Sequence, residues 1–259
     1  MLLPFHDDNP TRRTPWATYT IIAINVLVFL WALQLSPREQ QRLFFSRGFV
    51  PAQLTQFDAP KPIPIAGQQG LALAPQEPQQ VLLSLVTSLF LHGGWMHLLG
   101  NMWFLWIFGN NVEDRLGTVP YVVFYIVGGI IASLCHWAIV RGEPAATLPV
   151  VGASGAIATI LGAYAITWPW ARVHTLVFLL IFITVIDLPA LLVLGVWFAG
   201  QLLSVAGANQ AMHSNVAWWA HIGGFLAGML LMPLVSELVG SDQDDHTDYA
   251  PVEAVDDNR

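Results

Sequence analysis

Cysteine is nearly absent. The single one, Cys135, excludes an intrachain disulfide and any cysteine-based zinc cluster, and in its apolar surroundings it reads as a small buried residue. Charge is scarce as well: Asp, Glu, Lys and Arg make up 10% of the 259 residues, against about 25% in soluble globular domains. The acidic excess, a net −7, gathers at the end, where residues 241–259 hold seven acidic residues and one arginine. This balance argues against nucleic acid as a partner, and residues 240–259 read as an acidic, disordered tail. A secretory signal is missing, because Asp7 and Asp8 interrupt the N-terminus before any apolar run. The same stretch is too short and too acidic for an organelle transit peptide. A bacterial or archaeal plasma membrane is therefore expected. There is no internal repeat of useful period.

Apolar sequence, by contrast, is plentiful: 55% of residues are hydrophobic and 11 are Trp. Residues 17–35 form an uncharged run long enough to cross a bilayer of roughly 30 Å. Arg12 and Arg13 just before it favour a cytoplasmic N-terminal segment, residues 1–16. Residues 36–80 are polar, rich in Pro and Gln, and read as a long extramembrane loop. Residues 81–91 are apolar but short, as for a segment lying on or dipping into the interface. Further spans are expected at 95–111, ended by Glu113, Asp114, Arg115 and Gly117, and at 121–140, 151–168 and 216–239. Residues 173–206 are too long for one span and are broken by Asp187 and Pro189. A single span over 189–206 behind an interfacial or re-entrant piece makes six; two spans there make seven. Six is the preferred reading, with residues 17–239 forming one membrane domain.

Polar groups inside spans are costly, so each needs a partner or a task. His97 and Asn101 stand at i and i+4, on one face of the second span. Ser154, flanked by Gly152 and Gly155, opens the fourth, and His221 lies near the start of the last. Ala220, Gly224 and Gly228 form a small-residue stripe, and the fourth span has its own in Gly155, Ala158 and Gly162. If those stripes meet, Ser154 and His221 begin at similar depth, and a histidine able to take the serine proton makes a nucleophile. Singly, each polar residue is better explained as an interhelical hydrogen bond. Together they supply a nucleophile, a base and donors for an oxyanion, a complete set for acyl transfer.

The sequence HGGWMHLLGNM, followed in order by VEDRLG, GASGA and AHIGGFLAG on separate hydrophobic segments, resembles the rhomboid family of intramembrane serine proteases over roughly residues 17–238. The resemblance implies an all-α membrane protein, a rhomboid-like bundle of six transmembrane helices with the serine helix short and central. It makes Ser154 the nucleophile and His221 the general base of a dyad without an acidic third member. It places His97 and Asn101 in the oxyanion hole with the Ser154 backbone N–H. His92 matches a family histidine read as structural or substrate-positioning, and Glu113 and Arg115 match an ExR motif read as a local ion pair anchoring a turn. Residues 207–215 would cap the cavity and the fifth span would gate it. One departure stands out: many rhomboids carry an aromatic residue four positions after the serine, where this chain has Ala158.

The expected activity is intramembrane serine endopeptidase, cutting transmembrane protein substrates in or beside their membrane segments in a lipid bilayer. It requires no cofactor and no metal. The rivals are a non-catalytic rhomboid-like protein that binds or escorts membrane helices, and a transporter, for which paired broken helices are lacking. GASGA is not a soluble-hydrolase nucleophile elbow, since Ala156 replaces the last glycine. His92 and His97 lack the HExxH frame of a zinc protease. His136 reads as bundle packing, and Asp187, in Asp-Leu-Pro, as a turn rather than a third triad member.

Overall fold

In the computed structural model of the chain, residues 2–58, 61–65, 72–179, 182–207 and 217–240 are described. All but the first residue of the acidic tail and all but the first residue of the expected capping loop lie outside them. Ten residues or more of continuous apolar sequence become helix almost everywhere: α1 (Trp16–Ala32), α4 (Pro78–Thr87), α5 (Trp95–Leu116), α6 (Thr118–Val140), α7 (Ser154–Thr167), α8 (Ala190–Gly207) and α9 (Trp218–Val239). The connection after α1 folds into α2 (Pro37–Arg47), α3 (Pro51–Thr55) and a two-stranded ribbon, β2 (Ile63–Pro64) with β3 (Ala72–Leu73).

Among the described residues α6 and α9 are individually long and apolar enough to cross a membrane. The helical stretch Pro78–Phe90 and α5 pass together, bent by 81° at the break between them. The chain is thus a predominantly helical membrane protein, whereas α1, α7 and α8 are shorter apolar helices. The expectation of an all-α protein is corrected. β1 (Leu2–Asp7), β4 (Arg172–Leu179) and β5 (Phe182–Pro189) form an antiparallel sheet in the order β1-β4-β5. The piece read as interfacial or re-entrant is the β4–β5 hairpin. Its Val, Ile and Thr residues favour a pleated strand over a helix, and Pro189 ends it just before α8 begins. No helix lies there to make a seventh span among the described residues.

α7 occupies the middle of the bundle, in contact with α5, α6, α8 and α9, and every residue from Gly155 to Ala165 is buried. In lipid the hydrophobic effect gives helices little reason to associate, so close van der Waals packing must supply it. The small stripes of α7 and α9 face each other for this purpose. A Cβ on Gly162 would collide with the Phe225 carbonyl, and one on Gly228 with the Thr159 carbonyl. Gly155 sits against Ala132 of α6, and Gly224 against the Gly155 carbonyl.

The far end of the bundle is tied to the N-terminus. Asp114 accepts from the backbone N–H of Arg12 and Arg13 at 3.1 and 2.9 Å. Glu113 accepts from the N–H groups of Ala17 and Thr18 at 2.9 and 2.7 Å and from the Thr18 hydroxyl at 2.8 Å. A buried carboxylate from one helix thereby caps the start of another, where unpaired N–H groups and the helix dipole favour an anion. Glu113, expected to anchor a turn together with Arg115, thus anchors the start of α1. Residues two apart point to different sides of a helix, and α5 continues through both to Leu116. Trp103 and Asn111 of α5 donate to the carbonyls of Pro4 and Asn9, holding β1 and its exit against the bundle. Asp7 is buried beside Tyr164 of α7, whose hydroxyl donates to it. Burial pushes the Asp7 carboxyl up to about 6, against the opposing pull of that hydrogen bond.

Candidate active site

The loop leading into α7 has one forced conformation. Gly152 takes φ +122°, a region that side chains avoid, and its N–H donates to the Ser88 carbonyl at 2.9 Å. A Cβ there would stand 2.5 Å from Nε2 of His97 and 3.6 Å from Nδ2 of Asn101. The glycine therefore admits those two side chains to the space in front of Ser154. Just upstream, Val150 pairs with Phe49 through N–O distances of 2.7 and 3.0 Å. The connection between α1 and α4 is thus stitched to the loop that precedes the serine.

Ser154 opens α7 and His221 lies one turn into α9. The glycine contacts between those helices bring the side chains together, with His221 Nε2 and Ser154 Oγ 2.7 Å apart. The other ring nitrogen, Nδ1, lies 2.8 Å from Oε1 of Gln201 on α8. The Gln201 amide nitrogen donates to the Trp197 carbonyl at 3.3 Å, which turns its oxygen toward the histidine. That oxygen can only accept, so Nδ1 carries the proton and Nε2 is left with a lone pair for the serine hydroxyl. Ser154 and His221 were paired by their motifs; Gln201 was missed. In the sequence it is one glutamine in an apolar helix, and nothing local links it to a histidine 20 residues on. An ionisable or amide side chain inside a span was the available signal.

His97, Asn101 and His92 gather beside the serine loop. Nδ2 of Asn101 donates to Nε2 of His92 at 2.9 Å, and the His92 and His97 rings meet edge to face at 5.0 Å. His92 is buried and fixes the direction of the Asn101 amide, a positioning contact. Ala158 leaves no aromatic ring on α7 for His221, yet the imidazole is flanked by Trp197 and Trp218 at centroid distances of 6.1 and 5.8 Å. Gly223 backs onto Cys135 of α6, which accounts for that cysteine as a packing residue. Gly155, Gly224 and Gly228 do the same for the serine and histidine helices. Glu113 and Arg115 lie at the opposite end of α5 from His97.

A serine paired with a histidine, an amide on the far side of that histidine, and His97 and Asn101 beside the loop that precedes the serine are the kinds of group that acyl transfer uses. A family model described as the Rhomboid domain matches residues 79–238, more than half of the chain. Rhomboid-like protein 11, chloroplastic, of Arabidopsis thaliana is 28% identical over 174 residues, covering 61% of this chain and 54% of the relative. Rhomboid protein 1, mitochondrial, of Saccharomyces cerevisiae is 31% identical over 161 residues, covering 61% and 43%. The presenilin-associated rhomboid-like protein, mitochondrial, of Homo sapiens is 27% identical over 223 residues, covering 85% and 48%. The chain spans about half the length of the curated relatives it matches. These chloroplastic and mitochondrial relatives overturn the expectation of a bacterial or archaeal plasma membrane. That expectation rested on where the sequence begins, which carries no information about compartment.

Proposed function

The chain belongs to the rhomboid family, and we propose that it is an intramembrane serine endopeptidase of an organellar membrane, acting on transmembrane protein substrates. The 2.7 Å approach of His221 Nε2 to Ser154 Oγ carries this reading, with Gln201 on the far ring nitrogen. Ser154 Oγ attacks the scissile carbonyl as His221 Nε2 takes its proton. The imidazolium then protonates the leaving amine, and a water activated by the same nitrogen hydrolyses the acyl-enzyme. Gln201 holds the tautomer in which Nε2 is basic. His97, Asn101 and the Ser154 N–H surround the developing oxyanion, a placement supported by their approach to Gly152. Family likeness implies substrates whose helices unwind easily and carry a small residue before the cut.

The test compares wild type, Ser154→Ala and His221→Ala, purified in detergent and in lipid, on a generic transmembrane substrate. Cleavage by wild type alone is the expected result. Silence of all three across several substrates would favour a rhomboid-like protein that binds membrane helices without cutting them. Cleavage that survives both substitutions would place the chemistry elsewhere.

A further inference from the structure

Outside the serine site, the three-stranded sheet gathers a second set of chemically active side chains. Strand register makes His174 the cross-strand neighbour of His6 on one side and of Asp187 on the other. Neighbours across a ladder project to the same face, so all three side chains share one surface of the sheet. Asp8, whose N–H donates to the Arg172 carbonyl at 2.9 Å just past the end of β1, turns its carboxylate back onto that surface. The result is a cluster with defined roles. His174 Nε2 lies 2.7 Å from Asp8 Oδ1, and His174 Nδ1 lies 2.6 Å from Asp187 Oδ1. The His6 ring is parallel to that of His174 to within 10°, with centroids 5.6 Å apart.

An ion-pair cluster would need only His174 and the two carboxylates. His6 is surplus to it, and His6 completes a ligand set: one ligand atom each from His6, Asp8 and His174 lies within 4.8 Å of the others. Tetrahedral coordination at the usual Zn–N and Zn–O lengths sets ligand atoms about 3.4 Å apart. Small rotations of His6 and Asp8, both exposed, close the difference without moving the backbone. Asp187 supplies what a metal-bound histidine ordinarily has, a carboxylate on its other ring nitrogen that fixes the tautomer and aims the free one.

We propose that His6, Asp8 and His174 form a binding site for a divalent transition ion of the zinc class, oriented by Asp187 and with one coordination position open to solvent. Two borderline imidazoles beside one carboxylate suit Zn2+ and disfavour Ca2+ or Mg2+, which take all-oxygen sets. The site clamps the N-terminal strand to the β4–β5 hairpin. It stands at the far end of α7 from Ser154, roughly 20 Å away by the length of that helix, and is separate from the proposed proteolysis. This proposal departs from the expectation of no metal, at the sheet alone.

The test uses the full chain in detergent, without affinity tag, stripped by chelator and titrated with Zn2+ by calorimetry and elemental analysis. One ion per chain is expected, with a rise in unfolding temperature on loading. His6→Ala is the decisive variant because its exposed ring can be removed without disturbing the ion pairs. It should weaken binding by about a hundredfold or more while size-exclusion behaviour and circular dichroism stay unchanged. Asp187→Asn should keep one ion per chain and weaken it by roughly ten- to a hundredfold. His246→Ala, in the acidic tail, should leave the ion in place. Zn2+ binding that is absent in wild type, unchanged in His6→Ala, or lost in His246→Ala would overturn the site and leave an ion-pair cluster.

Discussion

The Tyr164 hydroxyl donates to the buried Asp7 carboxylate, joining the far half of α7 to the first strand of the sheet. Tyr164 is fully buried and Asp7 nearly so, so neither group has ready access to water. Removing one partner takes a buried hydrogen bond from the other, and a buried polar group pays a desolvation cost for that loss.

Tyr164→Phe is therefore expected to destabilise the protein by about 1–3 kcal/mol, whereas Asp7→Asn keeps an acceptor and removes a buried charge. Chemical denaturation in detergent at pH 7.5 should rank Asp7→Asn at or above wild type, and Tyr164→Phe below it. Equal losses in both would mean the contact contributes through packing alone.

Gln201→Leu is expected to lower kcat by roughly ten- to a hundredfold, with little change in KM. Removing a triad carboxylate's tautomer control costs about 10⁴ elsewhere, and a neutral amide should matter less. Steady-state cleavage of a transmembrane substrate measures it, and a rise in KM at constant kcat would instead assign Gln201 to substrate binding.

Packing of the serine helix against α9 gives a third contrast. Gly228→Ala drives a methyl into the Thr159 carbonyl, while Gly100→Ala on α5 meets open space. The first should lower stability by about 1–3 kcal/mol and reduce cleavage with it; the second should be neutral or slightly stabilising. Thermal melts of the two single variants decide the point.

The start of α2 should respond to acid. Ser36 and Glu39 cap each other's backbone N–H groups, and the hydrogen bond from the Ser36 side chain, with that from its N–H, holds the Glu39 carboxyl below the ordinary range. A folded-state value below the unfolded one means this stabilisation is complete above the unfolded value of 4.5 and fades as pH falls through the folded one. Hydrogen-exchange protection of residues 37–47, corrected for intrinsic rates, should drop on acidification in wild type and stay flat, at a lower level, in Ser36→Ala.

Local patterns carried much of this structure. The stripes Gly155–Ala158–Gly162 and Ala220–Gly224–Gly228 are visible as sequence, and so is the consequence that the serine and histidine helices start side by side. Residues whose partners lie a hundred positions away were not legible. The hold of Glu113 on α1 was not legible because its partners there, the N–H groups of Ala17 and Thr18, carry no side-chain signal. The run 173–186 has the apolarity of a membrane segment, and its pairing with Leu2–Asp7 is fixed by backbone register. The Phe49–Val150 bridge, again backbone to backbone, is silent in the sequence for the same reason.

The 14 residues of α7 amount to about 21 Å of helix, against roughly 30 Å of hydrocarbon. With its C-terminal end among Trp168, Trp170 and Arg172 at one surface, the serine end stops short of the other. The proposed proteolysis would consume water, so the shortfall would make solvent supply at depth a condition of turnover. It would also make bilayer thickness a parameter of that reaction: a thinner membrane would bring the aqueous phase toward Ser154, and a thicker one would withdraw it.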